Sequence, residues 1–279
     1  MSGTKRLMVD NFESNPFFYY LLGLLWADGA MERGSYRVIL YGLESDLKHI
    51  ESKILETGNW HKRLLHREGR KPQLIFSMYD KRIREYLSKY NYFTKNGHTK
   101  ILDDLNIEQQ KLWLQGFLDG DGNIVKGKYI RVSFSGPYDQ DWSFLNKILQ
   151  RLNIEPYYYK EESKLGHKSS NVIIKSIIDS LKFLDYIYDT PYDFGYIRKK
   201  KQYYDYLKDY RSVIEKQLMR NIVHMDEVFV VRIKTNRKIF STLQEARQYR
   251  HDSRLNLYGK VRNLDSLSLD ESFLRRLNF

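Results

Sequence analysis

Two aspartates stand eighth in twin nonapeptides, Asp28 in LLGLLWADG (Leu21–Gly29) and Asp121 in LQGFLDGDG (Leu114–Gly122). Aligned on these acids, Gly23 falls opposite Gly116, Ala27 opposite Gly120 and Gly29 opposite Gly122. Each stretch reads as the last turns of an apolar helix, with Gly29 in the left-handed conformation that closes one. Gly23 and Ala27, like Gly116 and Gly120, stand one turn apart, a spacing of small residues that lets two helix backbones approach closely. Helices packed that way bring their C-terminal ends together and set Asp28 beside Asp121 across a pseudo-two-fold axis. Two carboxylates so close repel, and the negative ends of two helix dipoles add to the conflict. A hard divalent cation with oxygen ligands, Mg²⁺ first, removes it. A metal shared by two carboxylates and a phosphodiester activates a water and stabilises the leaving oxygen. One acid per half implies one scissile phosphate per strand, and hence double-strand cleavage across a minor groove. A single such aspartate would be only a helix-end residue before a glycine; the pair carries the chemistry.

The elements that must hold these acids recur in the same order in both halves. Asn15-Pro16 is a helix start, and FFYYLLGLLWA is apolar nearly all round, which predicts a buried helix. YRVILYG (Tyr36–Gly42) reads as a strand, and LESDLKHIESKILE as a helix on Leu43, Leu47, Ile50, Ile54 and Leu55. A hairpin turning near Glu68–Pro72 and a helix, DKRIREYLSKY, follow, then a polar connector, Asn91–Asn106. IEQQKLWLQGFLDGDG opens the second half, with a strand at Tyr129–Ser135, a helix at Asp139–Leu152, a hairpin in EPYYYKEESKLGHKSSNVIIKS and a helix in IIDSLKFLDYIY. The hairpin glycines Gly69 and Gly166 stand 41 and 45 residues after their aspartates. A duplicated helix–strand–helix–hairpin–helix unit results, and with it an α+β fold of two pseudo-symmetric halves, 1–105 and 106–210.

Strand alternation predicts what the sheets present. Ile130, Val132 and Phe134 share one face against Tyr129, Arg131 and Ser133; Val38 and Leu40 oppose Arg37 and Tyr41. The hairpins add Lys62, Arg63, Arg67, Arg70 and Lys71 in one half and Lys160, Lys164, His167 and Lys168 in the other. Such faces hold phosphates and read base edges from a major groove, unless they are ordinary solvated faces.

Composition agrees with a polyanionic partner. The 279 residues hold 47 Lys+Arg against 35 Asp+Glu, a net charge of +12, with 23 Tyr and 14 Phe available for stacking. The absence of cysteine excludes disulfides, zinc–thiolate sites and thiol catalysis. MSGTKRLMVDNFESNPFFYY has no signal-peptide pattern, and the apolar run Phe17–Ala27 is too short to span a bilayer. The expectation is a soluble, unsecreted monomer, cytoplasmic in a bacterial or phage-infected cell, or organellar. The seven histidines are scattered, and no glycine-rich nucleotide loop occurs.

The paired nonapeptides and their flanking order resemble the LAGLIDADG homing endonucleases in their single-chain, double-motif form, over roughly Asn15 to Tyr210. The resemblance implies an antiparallel β-saddle around two central helices, gripping a long asymmetric duplex site and leaving short 3′ overhangs. It implies Asp28 and Asp121 as metal-binding acids, with Ala27 and Gly120 beside them and two or three Mg²⁺ ions shared. A basic residue late in each half is implied to organise the attacking water. Lys199 in YIRKKKQYYDYL matches best, with Arg198 beside it as a DNA contact; in the first half Lys95 and Lys100 both remain open. The sixth motif position is Trp26 in one copy and Asp119 in the other, which suggests unequal halves and a non-palindromic target.

KDYRSVIEKQLMRN reads as a helix, HMDEVFVVRIKT and KIFS as two strands, and STLQEARQY with SRLNLYGKVRNL as helix, turn, helix. This appendage, 222–279, resembles the small helix-turn-helix modules downstream of phage and intron-encoded nucleases, which implies DNA contacts at Tyr258, Lys260 and Arg262. Two other functions fit the same scaffold: a non-cleaving DNA-binding regulator, and a maturase binding host intron RNA. Target sequence and origin, whether intron, intein or free-standing phage gene, are not encoded in these features.

Overall fold

The computed structural model describes residues 12–95, 100–163, 166–218, 222–225, 228–233, 236–240, 242, 244–246 and 248–249. After a single turn at Phe12–Ser14, the first half runs α1 (Pro16–Asp28), β1 (Gly29–Met31), β2 (Arg37–Leu43), α2 (Glu44–Leu47), α3 (Glu51–Glu56), β3 (His61–Leu65), β4 (Gln73–Tyr79) and α4 (Lys81–Lys89). A turn at Tyr92–Thr94 and α5 (Ile101–Asp104) lead to α6 (Ile107–Asp121). The second half continues with β5 (Gly122–Val125), β6 (Arg131–Pro137), α7 (Ser143–Arg151), β7 (Tyr157–Glu162), β8 (Lys168–Ile174), α8 (Ile177–Tyr188), α9 (Ile197–Asp209) and α10 (Arg211–Leu218). Two four-stranded antiparallel sheets result, ordered β1-β2-β4-β3 and β5-β6-β8-β7. The identical order is the duplication seen in three dimensions.

The two motif helices occupy the middle. Asn15 caps α1 through its side chain, which accepts from the Phe17 amide at 3.0 Å, and Asn106 and Gln109 close a reciprocal capping box on α6. Phe17 through Trp26 are all buried, as an all-round apolar helix requires. α1 and α6 pack side by side, and one apolar core runs through both halves. Val38, Leu40, Phe76 and Met78 in one sheet, and Val132, Phe134, Val172 and Ile174 in the other, turn toward the helices.

Several expectations give way to tertiary context. Gly29 and Gly122 are extended, with φ −90° and −88°, and each opens a short strand, β1 or β5, that periodicity does not reveal. Their requirement is steric: a Cβ on Gly29 would lie 2.5 Å from the Tyr92 hydroxyl, and one on Gly122 would lie 2.5 Å from the Leu118 carbonyl oxygen. The segment Leu43–Glu56 is broken between α2 and α3, yet Leu47, Ile50 and Ile54 remain buried, so the core contacts survive the break. The expected 139–152 helix begins only at Ser143, whose amide is capped by the Asp141 carboxylate at 2.8 Å. The second-half strand begins at Arg131, with Ile130 already buried before it. The connector expected to be polar buries Tyr92, Ile101, Leu102 and Leu105 and forms α5.

Beyond α10, three strands stand where two were expected: β9 (Ile222–Met225), β10 (Val228–Ile233) and β11 (Asn236–Phe240), in the order β11-β10-β9. Thr242 and Glu245 exchange amide-to-side-chain hydrogen bonds of 3.2 Å at a helical turn over residues 244–246. Tyr258, Lys260 and Arg262, with the expected second helix, lie outside the described residues, as does Lys164. No helix among the described residues is long and apolar enough to cross a membrane.

Candidate active site at the paired helix ends

The small residues of the two motifs are where α1 and α6 touch backbone to backbone. A Cβ on Gly23 would lie 2.7 Å from the Phe117 amide nitrogen, and one on Gly116 would lie 2.9 Å from that of Leu24. A Cβ on Gly120 would overlap that of Ala27 and stand 3.2 Å from Asp28 Oδ2. The Asp28 carboxylate therefore lies over the Gly120 backbone, one residue from Asp121. Each half brings its acid to the same point.

A lysine caps each helix end, Lys95 half-buried and Lys199 buried. Lys95 Nζ donates to the carbonyls of Ala27 (3.0 Å) and Gly29 (2.8 Å), while the Tyr92 hydroxyl donates to that of Leu25. Lys199 Nζ donates to Leu118 (2.5 Å), Asp119 (2.6 Å) and Gly122 (2.6 Å) and is 2% exposed. The Ala27 and Asp119 carbonyls are among those a helix end leaves without intrahelical partners, the Leu25 and Leu118 carbonyls also accept the Gly29 and Gly122 amides, and a cation there opposes the dipole. Of the two first-half lysines, the structure brings Lys95 to the helix end; Lys100 is exposed at the start of α5, near Asp104.

The electrostatics cross between halves. Burial pushes the Asp28 carboxyl up, opposed chiefly by Lys199 and then by Lys95 and Arg198. Burial and the Asp28 charge push Asp121 up to about 7, opposed by Lys95 first and then Lys199. Each acid thus feels most strongly the lysine that caps the other helix. Desolvation lowers both lysines, Lys199 to about 8. Two strained carboxylates between two strained ammoniums make a site in which charge has been gathered against its solvation preference.

Three further residues frame the site. Asp119, 1% exposed, accepts from the Tyr20 hydroxyl and the Tyr196 amide, both at 2.8 Å, and so fastens the start of α9 to α1. Burial pushes its carboxyl up to about 6, against the pull of Lys199. Its counterpart Trp26 packs edge-on to Tyr92 at 5.2 Å. Asp46, a buried acid of α2, accepts from Arg198 Nε at 2.9 Å through both oxygens. Asp46 and Tyr92 gave no sequence signal: one reads as a first-turn helix acid, the other as an aromatic in a connector.

Strand register sorts the expected DNA contacts. Arg37, Tyr41 and Arg63 share the helix-free face of the first sheet with Ser77 and Tyr79, Arg37 being paired with Glu32 at 2.7 Å. Arg67, Arg70 and Lys71 are exposed at the tip of the β3–β4 hairpin. On the second sheet Arg131 and Ser133 occupy the helix-free face with Tyr157, Tyr159 and Asn171. Lys62 does not share that face: it stands opposite buried Phe76, at the sheet's edge on the helix side, and pairs with Glu51 at 2.6 Å. Lys160 and Lys168 likewise lie opposite the helix-free positions, over the Tyr138 ring at 4.4 and 5.8 Å, and Lys168 pairs with Glu162. Alternation counted from a neighbouring strand does not fix the phase of a hairpin arm, and these three lysines fall on the other face from the expected DNA contacts.

The donor set suits a hard cation. Among the described residues no three His, Cys, Asp or Glu gather into a cage, so a metal here would rest on two carboxylates and helix-end carbonyls. Mg²⁺ binds through one or two carboxylates and keeps waters or takes phosphate oxygens for the rest. The Ala27 carbonyl is occupied by Lys95, whereas that of Gly120 is not among the three Lys199 holds.

No family model matches the chain, and no curated protein matches it. Solved structures do resemble it. Mesophilic variants of the homing endonuclease I-DmoI are 16% identical, over 63% of this chain and 96% of that one, with a TM-score of 0.42. I-DmoI in complex with DNA and Ca is 15% identical over 63% and 91%, at 0.43. The N-terminal LAGLIDADG domain of DUF199/WhiA is 14% identical over 63% and 84%, at 0.45.

Proposed function

We propose that the chain is a metal-dependent, site-specific DNA endonuclease that hydrolyses one phosphodiester in each strand. One observation carries this reading: a duplicated fold delivers one aspartate from each half to a single point, between a half-buried and a buried lysine and beside two sheets. A purely structural pair would not keep two carboxylates and two ammoniums where burial opposes all four charges.

Asp28 and Asp121 would hold Mg²⁺, with the Gly120 carbonyl, which Lys199 does not hold, as a further oxygen donor. When bound, the metal supplies Lewis-acid activation of water and charge stabilisation at the phosphate. The rest of the work belongs to the chain. Lys95 and Lys199 fix the two helix ends and keep each acid's charge compensated from across the axis. Lys95 makes two carbonyl bonds among the described residues, which leaves one N–H for a water or phosphate oxygen. Arg37, Arg63, Arg67, Arg70, Lys71 and Arg131 position the backbone of the duplex, and Tyr41, Ser133, Tyr157 and Tyr159 face the grooves.

Supercoiled plasmid carrying a randomised insert, incubated with the full chain and Mg²⁺, tests the reading. Linear product is expected from the wild type. Asp28→Asn and Asp121→Asn are each expected to lose about 10³-fold or more, the scale on which removing a key electrostatic group from an active site is felt. Wild-type protein that binds duplex DNA yet leaves every plasmid intact would instead mark a non-cleaving regulator.

A further inference from the structure

We infer that on the Lys199 side of the site the donor that reaches DNA is Arg198, aimed by Asp46, and that Lys199 itself is a positioning residue. The inference rests on the nuclease reading and deepens it. An ammonium has three N–H donors, and all three of Lys199 go to carbonyls of the helix end, at 2.5 to 2.6 Å. Nothing remains on it for a water or a phosphate. Lys95, its counterpart, holds two carbonyls and keeps one donor among the described residues.

The next residue makes up the difference. The Arg198 side chain is 52% exposed and gives only its Nε–H to Asp46, leaving its terminal nitrogens with no hydrogen-bond partner among the described residues. That planar fork matches a phosphate. Asp46 comes from the opposite half, and its carboxylate is 7% exposed. Burying an acid is costly unless it is paired, and this one is paired through the guanidinium's inner edge, so the outer edge is held toward solvent. Arg198 and Asp46 also both bear on the charge of Asp28. The guanidinium lies 5.6 Å from the Tyr196 ring, which limits its swing.

The device is one-sided. Asp46 stands three residues past the end of β2, and Gln140 three past the end of β6; Arg198 precedes Lys199, and Thr94 precedes Lys95. Gln140 donates to the Asp141 carbonyl and Thr94 to that of Asn91. Neither is charged. The two strands of a duplex therefore meet different donors, Lys95 at one cut and Arg198 at the other.

The test uses the full chain, Mg²⁺ and a supercoiled plasmid bearing a site recovered by wild-type cleavage of a randomised library, with nicks mapped on each strand by primer extension. Arg198→Gln is expected to slow one strand by about 10- to 100-fold, the range for a lost charge-assisted hydrogen bond, and the other by no more than about threefold. Nicked circles then accumulate with the break always in the same strand. Arg198→Lys is not expected to rescue, because a lysine cannot hold Asp46 and present a fork at once. Asp46→Asn is expected to slow the same strand by about tenfold in kcat, with binding to the site in Ca²⁺ unchanged within about twofold. Equal slowing of both strands, or none, in Arg198→Gln overturns the inference while leaving the nuclease in place. A wild type that cuts no library member removes the nuclease reading and this inference with it.

Discussion

The two halves share a frame and differ at its ends. Where α1 meets α6, Gly23 and Gly116 play the same part, each admitting the other helix's backbone at positions a single methyl would close. At the helix ends the correspondence lapses. Trp26 packs on Tyr92 in one half, while Asp119 binds the Tyr196 amide in the other; Lys95 closes two carbonyls and Lys199 three; Thr94 stands where Arg198 does. Steric contact across a pseudo-two-fold axis constrains both copies alike, because at that point the two helices meet backbone to backbone. The two lysines cap carbonyls of their own half, so each copy is free to solve the capping problem separately. Duplication preserves what is shared by the axis and releases what is not.

The largest effects should therefore be symmetric. Gly23→Ala and Gly116→Ala each force a Cβ against main-chain atoms that cannot rotate away, so the helices must separate and lose their core packing. A loss of about 4 kcal/mol or more is expected from either, of similar size, in urea unfolding followed by circular dichroism. A large change in one and a small change in the other would show that the two halves are not equally committed to this contact.

At the lysines the halves should part. Lys199→Met removes the donor from three carbonyls and is expected to cost about 3 kcal/mol; Lys95→Met, with two carbonyls and the Tyr92 hydroxyl still capping beside it, about half that. The urea midpoints of the two variants rank them directly. Equal midpoints would mean that Lys199 keeps a donor free after all, and the division of labour between Lys199 and Arg198 would fail with it.

How much of this was legible beforehand follows the same division. Asp28, Asp121 and the four small residues could be read because two copies of one nonapeptide make the axis visible in the sequence itself, and a helix contact depends on residue size at fixed spacing. The α+β duplication was legible for the same reason. The short strands β1 and β5 were hidden because each begins on the glycine that ends a helix, leaving no alternation to count. The choice of Lys95 over Lys100 was hidden in a connector whose path is set by burial of Tyr92, Ile101 and Leu102, none of it periodic. Asp46 was hidden most completely: its partner is 152 residues away, and no local pattern marks a side chain that reaches across an axis.

The smallest effect separates the two acids from each other. Desolvation and the neighbouring Asp28 charge push the Asp121 carboxyl up to about 7, from an ordinary value of 3.8. A carboxyl raised in the fold favours the folded state when protonated, so this contribution is complete below 3.8 and is lost as pH rises through 7. Between pH 8 and pH 6, without metal, Asp121 alone should add about 1 kcal/mol of stability as pH falls, a rise of roughly 2–4 °C in Tm. Asp28 is raised as well but has three cations pulling against burial, so Asp121→Asn should flatten this slope more than Asp28→Asn does. Mg²⁺ reverses the sense, since it binds the ionised pair: its stabilisation should be greatest above pH 7 and fade below it. Thermal unfolding at matched ionic strength, with and without Mg²⁺, reads both slopes. A Tm that rises with pH in the metal-free protein over this window would mean that the two carboxylates are not competing for one desolvated point, and the pairing at the helix ends would have to be abandoned.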